Sequence, residues 1–220
     1  MSISQENYFW SSLSPLGGLT GAGLLIMASS RLSWAIILTG SLIWVYGLTS
    51  FTFSFLSKKI SAGYFPKTGR TALYTCFASF WGSIYLFLFW LLCPFAALEV
   101  FFLLMLVPLL YVSSEVMEKA HSLSDDSLLD TYEYVSQSVY RAIILAVLLI
   151  IFSIIREPLA YCSLSFPGTY KGMILIFKFN ENSILPVNLL ISSSGALILL
   201  GYFIYLYQYL NKNTYYGERK

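Results

Sequence analysis

The chain has 220 residues, of which 57% are hydrophobic and 11% are charged, with a formal net charge of +2. Soluble domains carry about 25% charged residues, so a soluble fold of this composition would expose large apolar patches. The small net charge offers no electrostatic basis for binding nucleic acid. We therefore expect a single polytopic membrane domain over residues 1–220, in contact with lipid.

The first apolar segment, 15–30, begins with the sequence PLGGLTGAG. One proline, Pro15, and four glycines within nine residues disfavour a regular helix that faces lipid. Irregular backbone at membrane depth is tolerated only where protein or a cavity surrounds it. We predict a broken, half-length first segment.

Five further segments are candidates for crossing a bilayer, whose hydrocarbon core of about 30 Å needs roughly 20 helical residues. Uncharged stretches predict the second, third and sixth segments. The fourth and fifth segments are shorter or contain a charged residue. The predicted segments are 34–56, 71–92, 98–113, 135–155 and 185–210. A tight turn at Cys93-Pro94 separates the third from the fourth. A loop of about 28 residues follows the fifth.

Proline-leucine pairs occur in the first and fourth segments, at Pro15 and Pro108. Each pair begins a group of three segments, and an odd number of spans per half gives the two halves opposite orientations. The predicted fold class is an all-α membrane protein with six transmembrane segments in two inverted three-helix repeats. Segments one and four are then broken half-helices. The alternative is that two such pairs coincide by chance in a leucine-rich chain.

The distribution of lysine and arginine predicts the orientation. With six spans, one side of the membrane holds eight of these residues and the other holds four, while Arg141 lies near enough to the start of segment five to snorkel. The eight are Lys58, Lys59, Lys67, Arg70, Lys119, Lys212, Arg219 and Lys220, and the four are Arg31, Arg156, Lys171 and Lys178. Both termini are therefore expected to be cytoplasmic.

A few polar residues are candidates for function. Arg156 and Glu157, at the end of segment five, are either an ion-path or subunit-docking pair or an interfacial anchor with the glutamate in water. Glu99 is an acid within an apolar region, and a surface position beside the Pro94 turn is the simpler interpretation. His121 is the only histidine, and the cysteines lack metal-ligand spacing, so no metal site is predicted.

Residues 115–133 hold six acidic residues and one lysine. Such a run could dock a basic partner or attract cations, but it is more often the solvated face of a loop. We favour the solvated loop.

The sequence FSIIREPLAYCSLSFPG and the C-terminal ILIFKFNENSILPVNLLISSSGALILLGYFIYLYQYLNK resemble a known family. It is the membrane-subunit family shared by the Rnf complex and the sodium-pumping NADH:quinone reductase, in its RnfE/NqrD branch. Arg156-Glu157, Leu164, Pro186 and Gly195-Ala196 occupy the places of family residues. SSLSPLGGLTG and VPLLYVSSEVMEKAH are similar to the two half-helices of the family.

The resemblance implies a cofactor that this chain is not equipped to bind. In the family, one cysteine on each half-helix, together with matching cysteines of a pseudo-symmetric sister subunit, holds an intramembrane [2Fe–2S] cluster. Ser14 and Ser114 occupy those positions here. Clusters are bound by thiolates, so no cofactor is expected to be bound by this chain itself.

The resemblance therefore implies a membrane subunit of an ion-translocating electron-transport complex in a bacterial inner membrane, with a structural or ion-path role. Its expected partners are the sister subunit and other subunits of the Rnf or Nqr type. The alternative is a small inverted-repeat transporter or channel-like protein without electron transfer, in which the serines bind a solute or cation. A membrane-embedded enzyme is disfavoured because no acid–base cluster is visible in the apolar segments.

Overall fold

The structure is a computed structural model that describes residues 19–59, 67–121, 131–168, 172–178 and 188–217. It is mostly helical, with one small hairpin of strands. The elements are α1 (Leu19–Ala28), α2 (Leu32–Lys59), α3 (Lys67–Leu92), α4 (Pro94–His121), α5 (Thr131–Tyr161), β1 (Ser163–Gly168), β2 (Gly172–Lys178), a 3₁₀ helix (Asn188–Ile191) and α6 (Ser193–Gly217).

Among the described residues, four helices are long and apolar enough to cross a membrane. Their apolar parts agree with the second to fifth predicted segments, because apolar runs of this length with few charged residues favour a lipid or protein environment. These parts are Leu32–Leu56, Ala72–Leu92, Pro94–Ser113 and Val135–Tyr161. Cys93 alone separates α3 from α4, which confirms the predicted tight turn.

The first predicted segment does not reach that length in the described residues. Helix α1 has ten residues and is about 15 Å long at 1.5 Å per residue, while Pro15 and Ser14 lie outside the described residues. Helix α6 has 25 residues, and the apolar stretch found among its described residues is Ser193–Phe203. The six-span inverted repeat therefore remains a prediction.

The prediction that segment four is a broken half-helix is wrong. Helix α4 is 28 residues long in all and continues without interruption through Pro108. Proline removes one backbone donor and its ring needs space. Gly82 of α3 gives that space, because a Cβ atom at position 82 would lie 2.7 Å from Cγ of Pro108.

The region after segment five also differs from the prediction. Helix α5 extends six residues past position 155 to Tyr161, and the expected loop contains the antiparallel strands β1 and β2. Cys162, with φ of 50°, reverses the chain between α5 and β1. A hairpin of this size needs a surface to pack on, and β1 packs against α2 and α5 while β2 reaches α4.

The core is formed mainly by α2, which packs against α5, α3 and α4. Aromatic side chains fill its centre. The Tyr46 ring meets the Tyr111 ring edge-on at 5.0 Å, and Phe53 stacks on Tyr74 at 3.9 Å. Helix α3, in contrast, has only 6% of its apolar window buried. Most of its surface is therefore available to lipid or to another protein.

Candidate functional site

Two adjacent charged residues of α5 are buried at one end of the helix bundle. Arg156 is 2% exposed and Glu157 is 1% exposed. The interpretation of the pair as an interfacial anchor with the glutamate in water does not hold, because Glu157 is buried and both of its carboxylate oxygens accept backbone N–H groups. Buried charged groups are costly unless they are hydrogen-bonded. Their partners therefore decide what the pair can do.

Arg156 uses all five N–H donors of its guanidinium group, the full number available to arginine. Two bonds reach the end of α1 and three reach the 3₁₀ helix and the residue after it. Nη1 donates to Ile26 O at 2.5 Å and to Ser29 Oγ at 3.0 Å, Nε to Leu190 O at 2.9 Å, and Nη2 to Ile191 O at 3.3 Å and Ser192 O at 3.2 Å.

Glu157 binds a different pair of elements. Its Oε2 accepts the backbone N–H of Leu32 at 2.7 Å, and its Oε1 accepts the backbone N–H of Ser165 at 2.9 Å. The Ser165 hydroxyl then donates to Ser33 Oγ at 3.2 Å. Glu157 thus connects α5 to the first turn of α2 and to β1.

The signs of the two charges fit the ends of the helices that they bind. The last carbonyl groups of a helix and the first N–H groups have no partner inside the helix, and they carry partial negative and positive charge respectively. Arg156 is placed at the carbonyl end of α1, and Glu157 at the N–H end of α2. We call this group of contacts the Arg-Glu junction: Arg156, Glu157, Ile26, Ser29, Leu32, Ser165 and Leu190–Ser192.

A second arginine lies beside the Arg-Glu junction, in the turn between α1 and α2. Arg31 donates from Nη1 to the Sδ atom of Met173 on β2 at 2.8 Å. Its guanidinium carbon lies 5.2 Å from the centroid of the Tyr161 ring, within the range of a cation–π contact. Arg31 therefore touches both the hairpin and the end of α5.

The other predicted proline lies at a separate cavity. Pro108 lines a partly open cavity of about 140 Å³ between α3 and α4, together with the hydroxyl-bearing Thr75, Ser79 and Ser83 of α3, which are all exposed. Ser83 Oγ donates to the Ser79 carbonyl within the same helix at 2.8 Å. This cavity is at the middle of the two helices, away from the Arg-Glu junction.

The remaining predicted positions are placed as follows. Ser14 and Pro15 lie outside the described residues, and Ser114 and His121 lie in α4 at positions whose side chains are not described. Glu99 is exposed and accepts the Trp34 indole N–H at 3.4 Å, so it lies outside the core of the helix bundle. Among the residues that the structure describes, no three His, Cys, Asp or Glu side chains are grouped as a metal site would require.

Sequence reasoning missed the serine partners and the hairpin. Ser29, Ser33 and Ser165 read as ordinary polar residues at the ends of apolar runs. The hairpin had a local signal: the alternating polar and apolar run SLSFPG and the apolar run GMILIFK are separated by three residues, which is typical of a hairpin. No family model, curated protein or solved structure matches the chain.

Proposed function

We propose that this protein is a non-catalytic, multi-pass membrane subunit of an Rnf/Nqr-type electron-transport complex that translocates ions. One observation supports the proposal most directly. The two sequence elements that carry the resemblance, Arg156-Glu157 and Gly195-Ala196, belong to one packed unit, because Arg156 binds the carbonyl groups that immediately precede α6.

The second element has a structural requirement of its own. A Cβ atom at Gly195 would lie 2.0 Å from the carbonyl oxygen of Leu189, so only glycine allows α6 to begin this close to the 3₁₀ helix. Ala196, the next residue, is fully buried. Arg156 and Gly195 are far apart in sequence, and both contact the 3₁₀ helix that precedes α6.

In the proposed role, the Arg-Glu junction holds two discontinuous segments in fixed positions. The short helix α1 and the 3₁₀ helix before α6 both end at Arg156, and ends of discontinuous helices can face ions or a cofactor held by a partner. With Ser14 and Ser114 in place of the cluster-binding cysteines of the resembled family, the role is structural or ion-conducting and not redox.

The proposed membrane arrangement keeps the six-segment inverted repeat, with α1 and α6 completing the four long helices. The membrane is the bacterial cytoplasmic membrane. Both termini face the cytoplasm, because the ends of α2 and α4 and the starts of α3 and α5 lie on the side richer in lysine and arginine. The Arg-Glu junction and the hairpin then lie toward the opposite side.

Purification of the tagged chain from its native membranes tests the proposed partners. The expected result is co-purification of a homologous sister membrane subunit with flavoprotein and ferredoxin-like subunits, and a strong loss of these partners in Arg156→Gln. Lys58→Gln, which removes a positive charge near the other end of α2, is the matched control and should retain them. Recovery of the native chain alone would contradict the proposal.

Iron analysis tests the absence of cluster ligands separately. Purified alone, the chain should contain no iron and show no visible absorbance band. Ser14→Cys combined with Ser114→Cys, produced together with the sister subunit, should gain iron. Iron in the native chain would refute the claim that it lacks ligands, and no gain in the double variant would refute the equivalence of these positions.

The cavity beside Pro108 favours a second candidate function, a small transporter or channel-like protein. Three hydroxyl-bearing side chains line this cavity at the middle of two span-length helices, where a solute or cation could be bound. Flux of Na⁺ or of a small polar solute into proteoliposomes containing the chain alone would favour this candidate, and Ser79→Ala should then lower the flux.

A further inference from the structure

The β1–β2 hairpin is anchored through β1, while β2, which reaches α4, leaves most of its apolar side chains exposed. In β1, Ser165 is fully buried and joined to α5 and α2 through Glu157 and Ser33. In β2, four consecutive apolar residues each expose more than half of their side chain. They are Ile174 (53%), Leu175 (58%), Ile176 (51%) and Phe177 (63%).

Successive side chains of a strand point to opposite faces, so β2 presents exposed apolar side chains on both faces. On β1, the side chain of Phe166, opposite Ile174 in the register, is 45% exposed and extends one of these faces. In water, an edge strand with two apolar faces is a site of aggregation. The position of the hairpin directly after a span-length helix places it instead at the level where the hydrocarbon of a membrane ends.

Arg31 supplies a positive charge next to this apolar strand. Within the described part of the chain, its guanidinium has one hydrogen-bond acceptor, the Met173 sulfur, and a thioether is a weak acceptor. Arginine has five donors in a planar arrangement that matches a phosphate group. A cation with unused donors beside a two-sided apolar strand has the two features of a phospholipid site: a phosphate ligand and a surface for acyl chains.

We propose that the hairpin and Arg31 form a phospholipid-binding element at the extracytoplasmic membrane surface, in which β2 is embedded among acyl chains and Arg31 binds a lipid phosphate. The proposal rests on the membrane placement proposed above, and it is independent of the electron-transport role. Charge complementarity favours lipid over a second copy of the chain, because a second copy would bring another Arg31 and Lys178 to the same surface.

Spin labels on the full-length protein in nanodiscs of phosphatidylcholine and phosphatidylglycerol test the position of β2. A nitroxide at Ile176→Cys, in a Cys76→Ser background that removes the exposed native thiol, reports its access to oxygen and to a water-soluble nickel complex. Phe102→Cys, 66% exposed in α4, and Tyr132→Cys, 84% exposed at the start of α5, are the reference sites.

The oxygen-to-nickel ratio at Ile176 is expected to lie closer to that of Phe102 than to that of Tyr132. A ratio like that of Tyr132 would mean that β2 lies in water and would overturn the proposal. Strong dipolar coupling between labels at Ile176 would overturn it in favour of a second copy.

Lipid retained by the purified protein tests Arg31. Native mass spectrometry of Arg31→Gln should show about tenfold less bound phosphatidylglycerol than the wild type, since one charged phosphate contact is lost. Lys58→Gln, which removes an equal charge from the opposite end of α2, should retain wild-type levels. Equal retention by Arg31→Gln, or displacement of the lipid by inorganic phosphate at low millimolar concentration, would overturn lipid as the ligand.

Discussion

Replacement of Arg156 by glutamine should be among the most destabilising single changes in this chain. The substitution removes the charge and at least three of the five N–H donors, so carbonyl groups at the end of α1 and around the 3₁₀ helix lose their partner in a buried position. Removal of a buried charged group that is hydrogen-bonded in this way costs about 3–5 kcal/mol. In a chain of this length, such a loss lowers the melting temperature by roughly 10 °C.

The buried thiol of Cys162, which is 3% exposed and lies close to the Arg-Glu junction, provides the assay. In a background with Cys76→Ser and Cys93→Ser, which leaves Cys162 as the remaining thiol, a thiol-reactive fluorescent dye reports thermal opening in mild detergent. Arg156→Lys, which keeps the charge but has fewer donors and no planar fork, should lie between glutamine and the wild type. A melting temperature for Arg156→Gln within about 2 °C of the wild type would refute the reasoning, because it corresponds to less than about 1 kcal/mol.

Three further substitutions test neighbouring contacts in the same assay. Glu157→Gln should cost about 1–3 kcal/mol, because one amide oxygen cannot accept from two buried N–H groups that now bind separate carboxylate oxygens. Gly195→Ala should lower the melting temperature clearly, while Gly201→Ala, where a Cβ atom meets nothing within 4 Å, should leave it unchanged or raise it. Gly82→Ala should destabilise by about 1–3 kcal/mol, because its Cβ atom would press on the ring of Pro108; a neutral effect would mean that α3 and α4 separate freely.

The four long helices could be predicted from the sequence because each depends on a local property. An apolar run of about 20 residues with few charged side chains favours a lipid or protein environment along its length. The same local reasoning predicts that Pro108 interrupts the fourth segment, and this prediction is wrong. Whether a proline interrupts a helix depends on space for its ring in the neighbouring helix, and that space is created by Gly82, 26 positions earlier in the chain.

The Arg-Glu junction could not be predicted for a related reason. A charged pair at the end of an apolar run is placed at the membrane surface when only its own desolvation cost is considered. The cost is offset here by backbone groups of α1, α2, β1 and the 3₁₀ helix, whose positions depend on the folded chain. The sequence marks Arg156 and Glu157 as candidates, but it does not show that both are buried.

The adjacency of Arg156 and Glu157 has a physical reason that links the fold to the proposed function. Successive residues of a helix point about 100° apart, so two neighbours cannot serve the same side of α5. The arginine faces the carbonyl ends of α1 and of the 3₁₀ helix, and the glutamate faces the N–H groups that begin α2 and belong to β1. A reversed order of the two charges would set each against a helix end of its own sign. One turn of α5 therefore determines how both irregular parts of the chain, the short first helix and the approach to α6, meet the four long helices.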